Sequence, residues 1–150
     1  MGTVTYPETQ VAEIVERATV PVQFDNTADS AQPTVKRYHH IWTPDLRILN
    51  EDGEDLYRWN GYLPPAEFAP QLLAAMAHAK LRLRAFDEAI ALYEETVRRF
   101  PTALVAPEAQ YFLAVSRYRK SGEAGDLLKG WHRLEGRYPK SEWVVKQDFH

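Results

Sequence analysis

The chain has 150 residues, of which 45% are hydrophobic and 26% charged, values typical of an ordinary globular protein rather than a disordered one. Its formal net charge of -3 lacks the basic excess of a dedicated nucleic-acid-binding protein. The chain contains no cysteine, which excludes disulfide bonds, thiolate metal ligands and thiol–disulfide chemistry by the chain itself.

No apolar stretch is long enough to span a bilayer, so no membrane span is expected. Residues 1–6 have neither the positive region nor the apolar region of a signal peptide. These features predict a cytoplasmic protein.

The first elements alternate between helix and strand. A helix is predicted after Tyr6, with Val11, Ile14 and Val15 at helical spacing. The β-branched residues of 20–24 predict a strand. A short helix is expected over residues 34–39, with a proline in its first turn.

A β-hairpin is predicted next. Trp42, Leu46 and Ile48 alternate with polar residues, which indicates a strand over residues 41–49 that is entered through Thr43 and Pro44. Residues 50–53 form a turn with a glycine available for a positive φ angle, and residues 54–59 form the second strand.

The remainder of the chain is predicted to be helical. A long helix covers residues 66–84, followed by helices over 87–99, 107–120 and 125–138. Ser141 is a plausible N-cap for a last short helix that contains Trp143.

The helical part contains an internal repeat. Residues 93–101 align with residues 131–139 at an offset of 38, and each copy has an aromatic residue, a second aromatic seven positions later, and then proline. Over residues 66–150 this pattern resembles arrays of tetratricopeptide-type (TPR-like) helical hairpins, including the repeats of bacterial periplasmic assembly factors. The resemblance implies stacked hairpins that bind polypeptides.

The order of elements in residues 7–80 resembles the second part of a thioredoxin-like domain. Three stretches carry this resemblance: residues 20–25, residues 36–44, and residues 50–68. The resemblance implies that Pro44 follows a cis peptide bond and that Thr43 pairs with the backbone of a substrate polypeptide. The first strand, first helix and second strand of the family, with its Cys-x-x-Cys motif, have no counterpart in this sequence.

The predicted fold class is therefore an α+β or α/β thioredoxin-like layer with an incomplete sheet, followed by an all-α TPR-like region. The domains are residues 1–65 and 66–150, with helix 66–84 shared by both. Without the missing strand, strand 41–49 presents an unpaired edge, and such edges recruit other strands. Residues 3–6 or a second copy of the chain are expected to fill the gap, which makes a homodimer the expected assembly.

Two polar groups are candidate ligand sites. His39 and His40 are interpreted as a helix-end pair, the alternative being a weak metal site with Asp45. The acidic residues of 51–55 are too closely spaced for a calcium loop and are interpreted as a solvated turn. No metal and no cofactor are predicted.

The function predicted from the sequence is a non-catalytic protein–protein interaction or assembly module, not an enzyme, with a polypeptide or a second copy as its partner. The candidate binding residues are Trp42, Thr43, Pro44, Tyr111, Tyr118 and Trp143. The last three are either core residues or the lining of a concave surface. The alternatives are a remnant of a thioredoxin-like oxidoreductase whose Cys-x-x-Cys part is missing from this chain, and a carrier with a small-molecule pocket under the unpaired strand.

Overall fold

The computed structural model describes residues 5–147, and within that range it contains seven α-helices and one two-stranded antiparallel sheet. The first part of the chain contains α1 (Thr9–Ala18), α2 (Gln32–Arg37), β1 (Asp45–Leu49) and β2 (Asp55–Asn60). The second part contains α3 (Pro65–Arg82), α4 (Phe86–Arg99), α5 (Ala106–Ser121), α6 (Ala124–Arg137) and α7 (Glu142–Val145). A short sheet followed by a helical region was predicted, and this coarse fold class is confirmed.

The β-hairpin forms where the sequence predicts it, and local turn chemistry explains why. The side-chain oxygen of Asn50 accepts hydrogen bonds from the backbone N–H groups of Asp52 and Glu54, at 3.1 and 2.8 Å. Gly53 adopts a φ of 75°, which glycine reaches without a steric penalty. The first strand is shorter than expected, since it begins at Asp45 and not at residue 41.

The strand predicted over residues 20–24 is absent, which corrects the sequence prediction. This segment has no regular secondary structure, and its residues are solvent-exposed. The β-branched composition is that of a strand, but a strand also needs a hydrogen-bonded neighbour. Among residues 5–147 the sheet has only two strands, so nothing pairs with this segment.

The first hydrophobic core lies between α1, the hairpin and the first half of α3. Val11 and Ile14 of α1 are fully buried against Phe68 and Leu73 of α3, and the inward residues of the hairpin pack on the same cluster. Arg17 links this layer to the helical part, since its guanidinium donates hydrogen bonds of 3.2 and 3.0 Å to the carboxylate of Glu95 on α4.

The second half of α3 belongs to a second core. There Ala77 packs with Ala89, Tyr93 and Val97 of α4 and with residues of α5. The chain therefore has one long helix that packs against the sheet layer at its start and against the helical hairpins at its end. The division into domains at residue 65 stays a prediction.

The internal repeat seen in the sequence is present in the backbone. Helix α6 begins and ends 38 residues after α4. The helices end in the same way, because Phe100 and Tyr138 have φ/ψ angles of -129°/56° and -134°/52°. Their N–H groups donate to the carbonyls of Thr96 and Leu134, at 2.9 and 2.8 Å. Helices α4 and α6 are therefore structural repeats.

Candidate functional site

The loop of residues 41–44, which leads into β1, brings three of the predicted binding residues together. Trp42 and Thr43 are exposed at its surface, and Pro44 is half-buried. The Thr43–Pro44 peptide bond is cis, as the thioredoxin-like resemblance implied. Two backbone carbonyls of the loop are held by the end of β2, since the Asn60 side chain donates to Trp42 O and the Gly61 N–H donates to Pro44 O.

Three polar side chains meet beside this loop. The amide nitrogen of Asn26 lies 3.1 Å from the hydroxyl of Thr43 and 3.0 Å from Nε2 of His40. The Thr43 hydroxyl is in turn 3.3 Å from the same His40 nitrogen. This triangle fixes Asn26, two residues after the segment 20–24, next to the loop.

An ion-pair network anchors the triangle to the hairpin. His40 Nδ1 lies 3.2 Å from Oδ2 of Asp45, and Arg47 binds both carboxylate oxygens of Asp45, at 3.0 and 2.8 Å. Arg47 also pairs with Asp55 on β2. Burial alone would raise the pKa of Asp45, but the hydrogen bonds and charges of Arg47 and His40 outweigh it and hold that pKa below its usual value.

The two histidines that are adjacent in the sequence therefore have different surroundings in the structure. His39 is exposed and has a positive φ of 48°, whereas His40 reaches Asp45. The sequence correctly placed Asp45 near a histidine. Within residues 5–147, however, no group of three or more His, Asp or Glu side chains is arranged to hold a metal ion.

Exposed apolar side chains lie in the loop and in the segment of residues 20–24, which Asn26 links to the loop. There are five of them, each 59–89% exposed, and we call this set the apolar surface: Val20, Val22, Phe24, Ile41 and Trp42. A shallow depression of about 350 Å³ is lined by Ile41, Trp42 and the Asn26–His40–Thr43 triangle. Large exposed apolar patches are typical of interaction sites.

The outer edge of β1 completes the site. Within the described part of the chain, β1 pairs with β2 alone, so its opposite edge has no neighbouring strand. The expectation that residues 3–6 fill this edge is wrong for Thr5 and Tyr6. Thr5 donates a hydrogen bond to the carbonyl of Leu63, and the Tyr6 ring packs edge-on against Phe68. Residues 3 and 4 lie outside the described residues.

The candidate residues of the helical part do not form one open groove. Tyr111 stacks on Trp131 at a ring-centroid distance of 5.4 Å and contacts Trp143 at 5.2 Å. Trp143 also packs on Phe112 and carries the ammonium group of Lys146 over its ring. Tyr111 and Trp143 are therefore packing residues between α5, α6 and α7, whereas Tyr118 is 37% exposed.

Sequence reasoning missed two features of the site. The sequence places Asn26 in a turn and does not indicate that its amide contacts His40 and Thr43. The sequence predicts a paired strand over residues 20–24, and this prediction does not include the exposure of their side chains. The signal available was the alternation of Val20, Val22 and Phe24, which shows an apolar face but not whether anything covers it.

Comparison with known proteins gives no significant match, either to a family model or to a curated protein or solved structure. The thioredoxin-like and TPR-like resemblances therefore stay predictions. No helix among residues 5–147 combines the length and apolar character needed to cross a membrane. The cytoplasmic location expected from the sequence also stays a prediction.

Proposed function

We propose that this protein is a non-catalytic polypeptide-binding or assembly module whose binding site is the apolar surface around residues 41–44. The observation that carries the proposal is the exposure of this surface beside an unpaired strand edge. Exposing large apolar side chains to water is unfavourable, and burying them contributes about 25 cal/mol per Å² of apolar surface.

The geometry favours an extended segment as the ligand. Within residues 5–147, β1 lacks a neighbour on one side, and the nearby residues 41–44 lead directly into this strand. Unpaired strand edges offer a row of backbone donors and acceptors, so a bound strand gains main-chain hydrogen bonds as well as apolar contacts. In this proposal Trp42 supplies the contact area, and Thr43, the residue before Pro44, presents its backbone to the partner.

The absence of cysteine supports a binding role without redox turnover. A thiolate is the nucleophile of thiol–disulfide exchange, and this sequence contains none. We expect no reduction of insulin disulfides when the chain is added with a thiol reductant, relative to the reductant alone. Turnover above that background would contradict the proposal.

A second copy of the chain is one source of the bound strand, and a homodimer is the first assembly that we propose. Light scattering coupled to size exclusion tests it. The wild type should shift toward dimer mass with concentration, and Trp42→Glu should stay monomeric. Leu104→Glu is the matched control, because Leu104 is 78% exposed but lies outside the apolar surface. If the wild type is monomeric at every concentration, the homodimer is excluded and the proposed partner is a different protein.

The alternative function is that of a scaffold remnant of a thioredoxin-like oxidoreductase. The free edge of β1 favours it, since a further strand beside β1 would complete a larger sheet. The upstream coding sequence distinguishes the two readings: a Cys-x-x-Cys segment in frame with this chain would support the oxidoreductase.

A peptide array tests the binding role directly. Immobilised extended peptides with alternating apolar residues are probed with wild type, Trp42→Glu, Thr43→Arg and Leu104→Glu. We expect wild type and Leu104→Glu to bind the same subset, and the two site variants to lose it. Equal binding by all four proteins would show that the apolar surface is not the site.

A further inference from the structure

A hydroxyl, an imidazole and a carboxylate are linked in series at the loop of residues 41–44. Nε2 of His40 lies 3.3 Å from the hydroxyl oxygen of Thr43, and Nδ1 of the same ring lies 3.2 Å from Oδ2 of Asp45. A hydroxyl beside a base that a third group orients is the arrangement that makes a hydroxyl nucleophilic. Hydroxyl–base distances of about 2.6–3.2 Å are usual, and somewhat longer ones are common when no substrate is bound.

The hydrogen bonds determine which imidazole nitrogen carries the proton. Burial alone would raise the pKa of Asp45, but its bonds to Arg47 and His40 hold that pKa below the usual value. The carboxylate is therefore ionised and acts only as an acceptor, so Nδ1 of His40 donates to it. In the neutral ring this leaves Nε2 unprotonated, and Nε2 is the nitrogen that can take the proton of the Thr43 hydroxyl.

Asn26 orients the hydroxyl. Its amide nitrogen lies 3.1 Å from the Thr43 oxygen, which accepts from this group and directs its own proton toward His40. The same amide nitrogen lies 3.0 Å from Nε2 of His40, so the lone pair of that nitrogen is shared between the amide and the hydroxyl. Both contacts are hydrogen bonds to an unprotonated Nε2, in agreement with the proton on Nδ1.

The Thr43 hydroxyl is open to a small molecule from solvent. Thr43 is exposed and lines the depression of about 350 Å³ together with the apolar side chains of Ile41 and Trp42. The side chains behind it are largely covered, since those of His40 and Asp45 are 17% and 10% exposed. A molecule with an apolar group that enters the depression therefore meets the hydroxyl, with the base behind it.

We infer that Thr43 is an acyl-acceptor site, whose hydroxyl takes an acyl group from an activated ester with His40 as the general base. Oγ1 attacks the carbonyl carbon of the ester while its proton passes to Nε2. A bond forms between Oγ1 and the acyl carbon, the bond from that carbon to the aryloxy oxygen breaks, and the leaving aryloxy group takes the proton from the imidazolium. One acyl group is transferred per chain, so this is a modification of the protein that goes beyond the proposed binding role.

The test treats the intact chain with p-nitrophenyl acetate at about pH 8, where a free imidazole is neutral, and maps acetyl groups by mass spectrometry. Trypsin releases residues 38–47 as a peptide without lysine, in which fragmentation locates acetyl groups on Thr43. Thr27 is the internal reference, because its exposed hydroxyl donates to the carboxylate of Asp25 rather than to an imidazole. We expect Thr43 to be acetylated about 100-fold faster than Thr27, the lower end of what a general base contributes.

Variants assign this rate to the imidazole. His40→Gln should lower acetylation of Thr43 about 100-fold. His39→Gln is the matched control and should leave the rate unchanged, because His39 is exposed and it is the neighbouring ring that contacts Thr43. Thr43→Ser should keep the modification at position 43, and Thr43→Val should lose it. Circular dichroism checks that each variant is folded.

Two results would overturn the inference: equal acetylation rates of Thr43 and Thr27 in the wild type, which needs no variant, or an unchanged rate in folded His40→Gln. The peptide array reads the proposed binding role separately. Rapid acetylation of Thr43 in a chain that binds no peptide would support the inference and contradict the binding role alone. Peptide binding without preferential acetylation of Thr43 would overturn the inference alone.

Discussion

At the scale of single residues, Asp45 connects the loop of residues 41–44 to the sheet. Its carboxylate is shared between His40 and Arg47, and Arg47 also donates a hydrogen bond of 2.6 Å to the carbonyl of Tyr38. Because Thr43 contacts His40, the position of the Thr43 side chain depends on the charge of Asp45, which His40 contacts, and on that of Arg47, which binds Asp45. A polar network of this kind keeps the loop in one conformation when no partner is bound.

The depressed pKa of Asp45 predicts a pH-dependent contribution to stability. The ionised form is favoured in the folded state, so its stabilising effect is present above the ordinary aspartate pKa of 3.8 and is lost as the pH falls through the lower, folded-state value. Asp45→Asn should therefore lower the urea midpoint at neutral pH, and the difference from wild type should shrink in acid well below pH 3.8.

The exposed Asp52 supplies the control for this experiment, since its carboxylate has no side-chain partner among the described contacts. Asp52→Asn should change the midpoint little at either pH. A difference between wild type and Asp45→Asn that is the same in acid and at neutral pH would show that the ionised carboxylate is not what stabilises the loop.

Gly130 marks the closest approach of α5 and α6. A Cβ atom added there would lie 2.3 Å from the Cβ of Ala114 and 3.0 Å from its Cα. Gly130→Ala should destabilise the protein by about 1–3 kcal/mol, the usual cost of overpacking, despite the better helix propensity of alanine. Chemical unfolding measures the change.

Gly136, on the same helix, is the matched control. No atom lies within 4 Å of its added Cβ, so Gly136→Ala should be neutral or should stabilise by up to about 1 kcal/mol. Equal effects of the two substitutions would contradict the close packing of α5 on α6.

At the scale of elements, structures that depend on the local sequence could be predicted, whereas the pairing of strands could not. The hairpin could be predicted because Asn50 and Gly53 form its turn from their own side-chain and backbone properties. The helices could be predicted because each has an apolar stripe at helical spacing. The sequence could not show whether residues 20–24 form a strand. A strand needs a hydrogen-bonded neighbour, and the residues of this segment do not reveal whether one is present.

The same distinction applies to the candidate site. The Thr43–Pro44 loop could be predicted from a resemblance in the local sequence. The contacts of Asn26 with His40 and Thr43 span 14 and 17 residues, so they follow from tertiary folding alone. Tyr111 and Trp143 were candidates for an open surface, but they pack on each other and on Trp131.

Helix α7 depends on a cap that the sequence predicted. The hydroxyl of Ser141 accepts a hydrogen bond of 3.2 Å from the backbone N–H of Trp143. Ser141→Ala should cost about 1 kcal/mol in this short helix. Amide hydrogen exchange of residues 142–147 should accelerate, while residues 86–99 of α4 stay unchanged. Unchanged exchange in α7 would show that aromatic packing alone holds it.

At the scale of the whole molecule, α3 joins two different parts into one continuous structure. Its N-terminal half supports the sheet layer through Phe68 and Leu73, and its C-terminal half packs with the hairpins through Ala77. The proposed binding surface lies in the first of these parts, at the loop before β1.

Amide hydrogen exchange with a bound peptide tests the central claim, that an extended polypeptide binds at the apolar surface. The protein is measured alone and with the tightest peptide from the array. The account predicts slower exchange in residues 19–25 and 41–49 when the peptide is bound, with the helices unchanged, and no such protection in Trp42→Glu. Protection confined to the helices, or none at all under saturating peptide, would contradict it.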